Sequence, residues 1–191
     1  MDGTSKDDKK MAIKINEHIS LEIIADKHSA LLFEAIDTNR RHLSGFLPWV
    51  PYMQSEEQTL DYIQNCRALH KQQKEVSFVI MSNEAVIGRI GLHHWDHLNR
   101  CAAIGYWLAK DAEGKGIVTK CCIAIIDYGF EKMGLQRIEI KAAVKNIRSL
   151  AIPNRLGFRQ EGILRQAELV NGEFLDLVIF SFLRDEWKQN Q

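Results

Sequence analysis

A charge bias of either sign is missing from this chain: 25 Lys and Arg balance 25 Asp and Glu over 191 residues. Such a balance supplies neither the basic face that grips nucleic acid nor a patch for an anionic membrane surface, so neither is an expected partner. Long apolar runs are missing as well. No stretch approaches the ~20 residues of a membrane span, and no secretory leader is expected. Cys-x-x-Cys pairs are absent; Cys66, Cys101, Cys121 and Cys122 fit reduced structural thiols in a cytoplasm, the last two on an apolar helix stripe. Neither a Walker pattern nor a Rossmann glycine fingerprint occurs. His93, His94, Asp96 and His97 are the densest run of metal-type side chains. Alternation at a hairpin tip spreads them over two faces, so no metal is expected.

The most telling feature that is present is Glu113-Gly-Lys-Gly-Ile-Val-Thr119, which follows the apolar segment Ile104–Ala109. After it Val118, Cys121, Cys122, Ile125, Ile126, Gly129, Phe130 and Met133 recur at helical spacing, and Gly134 stands where the helix stops. Gly114 and Gly116 remove side chains that would hold the backbone away from a bound group. The amides opening the helix are then free to face an anion, with the helix dipole behind them. Strand, glycine turn and helix together predict a diphosphate cradle; read without the ligand, the same glycines make a tight strand-to-helix connection.

Residues 1–11 are expected to be a polar, disordered tail, and 12–191 a single domain. A chain of this size buries about 70% of its unfolded surface, enough for a core without staples. Alternating Ile13, Ile15, Ile19, Leu21 and Ile23 predict a strand or hairpin over 12–24, and Asp26 an N-cap for a helix to about Thr38. A short helix is expected over Asn39–Gly45. Pro48 and Pro51, two of only three prolines, keep Phe46–Tyr52 out of regular helix. Ser55-Glu-Glu-Gln58 is a capping box for a helix to about Gln73. Strands are expected over Val76–Met81, Ala85–His93, Ala102–Ala109 and Arg137–Ala143, and a short helix over Ile147–Leu156. Two last strands, Phe158–Val170 and Glu173–Leu183, join through Asn171-Gly172, a type I′ hairpin signal. The class is α+β: a mixed, mostly antiparallel sheet flanked by helices, with two strands splayed around a ligand.

These residues resemble the GNAT (Gcn5-related) N-acetyltransferase superfamily, and within it the bacterial ribosomal-protein alanine/serine N-acetyltransferases. The matching pieces are Ala103-Ile-Gly-Tyr-Trp-Leu108, Glu113-Gly-Lys-Gly-Ile117, Asn146-Ile-Arg-Ser149 and Asn154-Arg-Leu-Gly-Phe158. Glu161-Gly162, Asn171-Gly172 and the Asp176…Glu186-Trp187 ending extend the likeness from about residue 12 to 188. The resemblance implies the GNAT fold and acetyl-CoA as co-substrate, without a metal. Its pyrophosphate would lie on Gly114, Lys115, Gly116, Val118 and Thr119, and its pantetheine arm beside the backbone of Trp107 and Leu108 and the amide of Asn146. The family has Arg or Gln where this chain has Glu113; a carboxylate beside phosphates is unfavourable, so Glu113 is expected to point outward.

Acetyl transfer to an amine needs a neutral amine, a stabilised oxyanion and a donor for the departing thiolate. An α-amino group, with an unperturbed pKa of roughly 8 against ~10.4 for lysine, is the easier amine to deprotonate. Glu168, which matches a glutamate of the resembled group three residues before Asn-Gly, is the candidate base; from the residues alone it also fits a solvated strand position. The tyrosine that many family members carry four residues before Gly-Phe is replaced by Pro153, and Ser149 takes its place in the ribosomal-protein group. Pro153 has no N–H, so the Ser149 carbonyl loses its helical partner and the helix should distort there; Ser149 also suits a plain helix start. The oxyanion is expected on a backbone N–H near Trp107–Leu108. Arg40, His42, Phe46–Tyr52 and Tyr106 are candidates to line an acceptor groove, the aromatics among them being candidates for core as well. The resemblance implies direct attack by the N-terminal amine of a ribosomal protein, and members often pair as homodimers. The alternatives are acetylation of a small amine (polyamine, amino acid or antibiotic) or a CoA-binding regulator without turnover.

Overall fold

Alternation along the strands divides the apolar residues of this chain between two faces of one sheet. The computed structural model describes residues 12–189, so the tail expected over 1–11 lies outside the described residues. The strands are β1 (Ala12–Lys14), β2 (Ile19–Ile23), β3 (Val76–Ser82), β4 (Ala85–Asp96), β5 (Cys101–Leu108), β6 (Arg137–Ala143), β7 (Arg159–Val170) and β8 (Glu173–Leu183). They lie in the order β1-β2-β3-β4-β5-β6-β8-β7, and every pair is antiparallel except β5 with β6. That one parallel pair requires a crossover, supplied by helix α4 (Ile117–Glu131).

On one face α4 buries Cys121, Cys122, Ile125, Ile126 and Phe130 against Phe78, Ile80, Ile90, Ile104, Ile138 and Phe180. Val79 and Met81, the neighbours of Phe78 and Ile80, and Trp107 of β5 face the other way. There they meet α1 (Ser29–Asp37) and α3 (Glu56–Lys71) through Leu32, Ile36 and Ile63. Each fully buried aliphatic or aromatic side chain contributes about 1.5–3 kcal/mol. Ser55 caps α3 by accepting from the Gln58 N–H, and Asn171 and Gly172 adopt φ of 50° and 81°, the paired positive values of a type I′ turn.

Two local expectations are corrected, and one element is added. Asp26 does not cap α1: Asp26–His28 forms a 3-10 turn, His28 Nδ1 accepts from the Ala25 N–H, and the Asp26 carboxylate accepts from Arg67 instead. The helix expected over 39–45 is the single turn α2 (Arg40–Leu43). A closing helix, α6 (Arg184–Gln189), was not anticipated; six residues are too few for periodicity to show. Its Trp187 anchors it by donating from Nε1 to Asp127 and by edge contact with Phe182.

Candidate active site

Strands β5 and β6 pair only from Cys101–Ile104 to Arg137–Ile140. Beyond that point β5 stays paired to β4 as far as Leu108, and β6 to β8 as far as Ala143. The two strands therefore diverge, leaving Gly105–Leu108 with an edge that has no strand partner on that side. A cleft of about 840 Å³ lies at the divergence. Its walls are Tyr106, Trp107 and Leu108 of β5, the turn after β5, and helix α5 (Ile147–Arg155).

Gly114 and Gly116 take φ of 76° and 71°, in the left-handed region, and a Cβ on either would meet nothing within 4 Å. The torsions, rather than crowding within the protein, are what demand glycine, and the space in front of the turn is open. Gly116 is the N-cap of α4 and no side chain caps the helix, so its first amides present their donors unopposed. Val118 and Thr119 line the cleft there. Lys115 does not: its ammonium donates back to the Asp111 carbonyl at 2.8 Å.

Lys110, Lys145, Arg148 and Arg155 add positive charge to the lining. Arg148 and Arg155, not among the residues expected to bind, stand seven residues apart and thus on one face of α5, inside the quoted Asn146 and Asn154 motifs; that spacing is the available signal. Arg155 donates to Thr119 Oγ1 at 3.2 Å. Glu113 overturns its expectation. It turns across the cleft, 21% exposed, accepting from Arg148 and lying 3.2 Å from His42 Nε2. Burial, Arg148 and Lys110 hold the His42 pKa below the usual histidine value, so near neutral pH it is a polar neighbour of Glu113 and Arg148 is the ionic one.

At the other end of the cleft Asn146 caps α5, its Oδ1 accepting from the Ser149 N–H at 3.1 Å. Ser149 Oγ donates to Tyr106 Oη at 3.2 Å, while Tyr106 Oη donates to the Ser149 carbonyl at 3.1 Å. Tyr106 thus belongs to this cleft. Arg40 is used structurally, binding Asp37 and the carbonyls of Val50 and Met53. Glu168 is half-buried on β7 and lies off the cleft lining. It shares a strand face with Val170, which packs with Ala143, Leu175 and Phe46, and Phe46 does line the cleft. Burial alone raises the Glu168 pKa.

A second cavity, of about 670 Å³, lies on the α1 and α3 side of the sheet and shares Trp107 with the cleft. Trp49, Tyr62 and Trp95 rim it, and its single carboxylate, Glu75, is paired with Arg89. His93 there is pushed down to about 4 by burial and by His94 and Arg89, which leaves it uncharged. The four cysteines are free thiols, and burial raises Cys66 and Cys122 and pushes Cys121 up to about 12. Among the described residues no three His, Cys, Asp or Glu side chains come together as a metal site.

The family model described as an acetyltransferase (GNAT) domain matches residues 19–159. The chain is 33% identical over 173 residues to a ribosomal-protein-serine acetyltransferase of Escherichia coli (strain K12), covering 91% of this chain and 97% of that protein. It is 37% identical over 179 residues to YdaF of Bacillus subtilis (strain 168), provisionally named a ribosomal N-acetyltransferase, covering 92% and 96%. Among solved structures, RimL, a ribosomal L7/L12 alpha-N-protein acetyltransferase in complex with coenzyme A, superposes with a TM-score of 0.88 at 26% identity, covering 92% of this chain and 99% of that one.

Proposed function

We propose, for a chain that belongs to the GNAT acetyltransferase family and is an acetyl-CoA-dependent N-acetyltransferase, that its acceptor is a protein N-terminal α-amino group, a ribosomal protein's above all. The observation that carries the reading is the gap between β5 and β6, with uncapped helix amides at one end and the Ser149 hydroxyl at the other. In this reading the carrier's diphosphate rests on Gly114, Gly116, Val118 and Thr119 and its pantetheine arm lies along Trp107 and Leu108, with Asn146 beside it. Lys115 contributes through its backbone alone, because its ammonium is turned back on the loop.

The amine attacks the thioester carbonyl directly. Glu168, with its pKa already raised, takes the proton directly or through one water, a main-chain N–H of the unpaired β5 edge receives the oxyanion, and the Ser149 hydroxyl donates to the thiolate. The acceptor class is supported by charge. A polyamine needs carboxylates; of the two that line the cleft, Asp111 and Glu113, the second is held by Arg148, and the single one in the second cavity is paired with Arg89. The relatives also include a spermidine N(1)-acetyltransferase of Escherichia coli (strain K12), but at 26% identity over 56% of this chain. The same reading carries a cytoplasmic location, where ribosomal proteins are made, and a homodimer. Leu169 and Phe174, paired across β7 and β8 and 51% and 57% exposed, offer that second copy an apolar surface.

The test is thiol release from acetyl-CoA with peptides beginning in Ser or Ala against spermidine and free amino acids. The peptides should exceed the small amines at least tenfold in kcat/KM. A preference for spermidine would replace the acceptor, and binding without thiol release from any amine would make the chain a CoA-responsive regulator. A further outcome concerns Glu113, which sits beside the proposed diphosphate and holds Arg148. Glu113→Gln should tighten acetyl-CoA binding about fivefold at low salt, corresponding to about 1 kcal/mol of relieved repulsion, with the gain shrinking as salt is added. Weaker binding in calorimetry would mean that Glu113 instead orients Arg148 for the phosphates.

A further inference from the structure

Pro153 stands inside α5, at the position whose N–H would bond the Ser149 carbonyl four residues earlier. Proline has no such donor, which leaves a half-buried carbonyl beside the cleft without its helical partner. The structure supplies a substitute from another element: Tyr106 Oη, projecting from β5, donates to that carbonyl at 3.1 Å. The hydroxyl of the same serine donates to the same phenol oxygen at 3.2 Å. Both polar groups of Ser149 that the helix leaves loose are therefore tied to one atom, while its N–H is tied to Asn146.

We infer that Tyr106 is a positioning residue for Ser149, made necessary by Pro153, and that the pair aims the serine hydroxyl at the sulfur of the carrier. This rests on the reading above that the thioester reaches Ser149. The phenol is suited to the task because burial raises its pKa strongly, keeping it a neutral hydroxyl throughout the working pH range. Its own proton is committed to the carbonyl, so the Tyr106 oxygen can only accept from Ser149. When the thiolate forms, the serine hydroxyl turns from this weak acceptor to the stronger anionic one, and no proton has to leave the pair. The ring stays in place through the carbonyl bond.

The experiment uses coenzyme A as the probe, so it does not depend on the acceptor amine. The thiol of bound coenzyme A is titrated by thiolate absorbance in wild type, Tyr106→Phe, Pro153→Ala and the double variant, each against the CoA-free protein. A well-aimed hydroxyl should hold the bound thiol about one pKa unit below free coenzyme A. Tyr106→Phe should return at least half of that shift while leaving coenzyme A affinity within about twofold, and should lower kcat about tenfold. Pro153→Ala restores the missing N–H, so in that background the Tyr106→Phe effect on kcat should shrink to about threefold. An unshifted thiol in wild type, or Tyr106→Phe effects equal in both backgrounds, would overturn the inference. Failure of peptide acetylation with the thiol results intact would remove the acceptor reading alone.

Discussion

Glu168→Gln is expected to lower turnover at least tenfold while acetyl-CoA binds as before. A positioned general base contributes typically 10²–10⁴-fold, and glutamine keeps the shape of the side chain while removing its basicity. Two features of the site support the size of the effect. Burial raises the Glu168 pKa, the direction that makes a carboxylate a better base near neutral pH. Its strand face also leads through Val170 to Phe46, on the cleft wall. The pH dependence follows in sign: kcat/KM should fall as pH drops through the raised Glu168 pKa, and that limb should vanish in the variant. Stability should run the other way. A carboxyl whose folded pKa exceeds its unfolded one binds its proton more tightly in the folded state, so its ionisation destabilises as pH rises from the ordinary carboxylate value through the folded pKa. Glu168→Gln should therefore melt higher than wild type at pH 7, and the difference should close below the ordinary carboxylate range. An unchanged rate with peptide acceptors would remove Glu168 from the mechanism.

The second large effect is expected at the glycine turn. Gly114→Ala with Gly116→Ala places two Cβ atoms on a backbone that holds φ of 76° and 71°. Each substitution costs about 1–2 kcal/mol if the torsions are kept. Relaxing them instead turns the α4 amides away from the proposed diphosphate position. Since a Cβ meets no protein atom at either position, the fold itself has room for both, and the penalty should appear in acetyl-CoA affinity. A loss of about 30-fold, corresponding to about 2 kcal/mol, should be read by calorimetry, with far-ultraviolet circular dichroism unchanged. Affinity within twofold of wild type would mean that the carrier's phosphates rest elsewhere.

Much of this arrangement was legible in the residues because it depends on local pattern. The strands of the meander β3–β4–β5, the amphipathic α4, the Asn171-Gly172 turn and the glycine turn before α4 each carry their signal in consecutive residues. What escaped depends on groups far apart in sequence. The direction of Glu113 is fixed by Arg148, 35 residues away, which nothing in its own loop reveals. The capping of the turn before α1 by His28 competes with the usual preference for Asp at that place, and Asp26 is drawn to Arg67 instead. In the case of Pro153 the sequence supplied half of the answer: it exposed a carbonyl lacking its donor, and only the fold could bring Tyr106 across 43 residues to fill it. The bulges of β7, between Gln160 and Gly162 and between Leu164 and Glu168, have no counterpart in any composition signal, yet the first, of one extra residue, decides the face of every later residue of β7, Glu168 included, and the second, of two, changes only which β8 residue Glu168 meets.

The divergence of β5 from β6 behaves as a fork rather than a loosened seam. Each tine keeps its full ladder to an outer neighbour, β4 on one side and β8 on the other, so its opening is built into the frame. A guest laid along the free rim would add rungs without unzipping any, and its departure would remove only the rungs it brought, so recharging the berth would require no part of the sheet to refold.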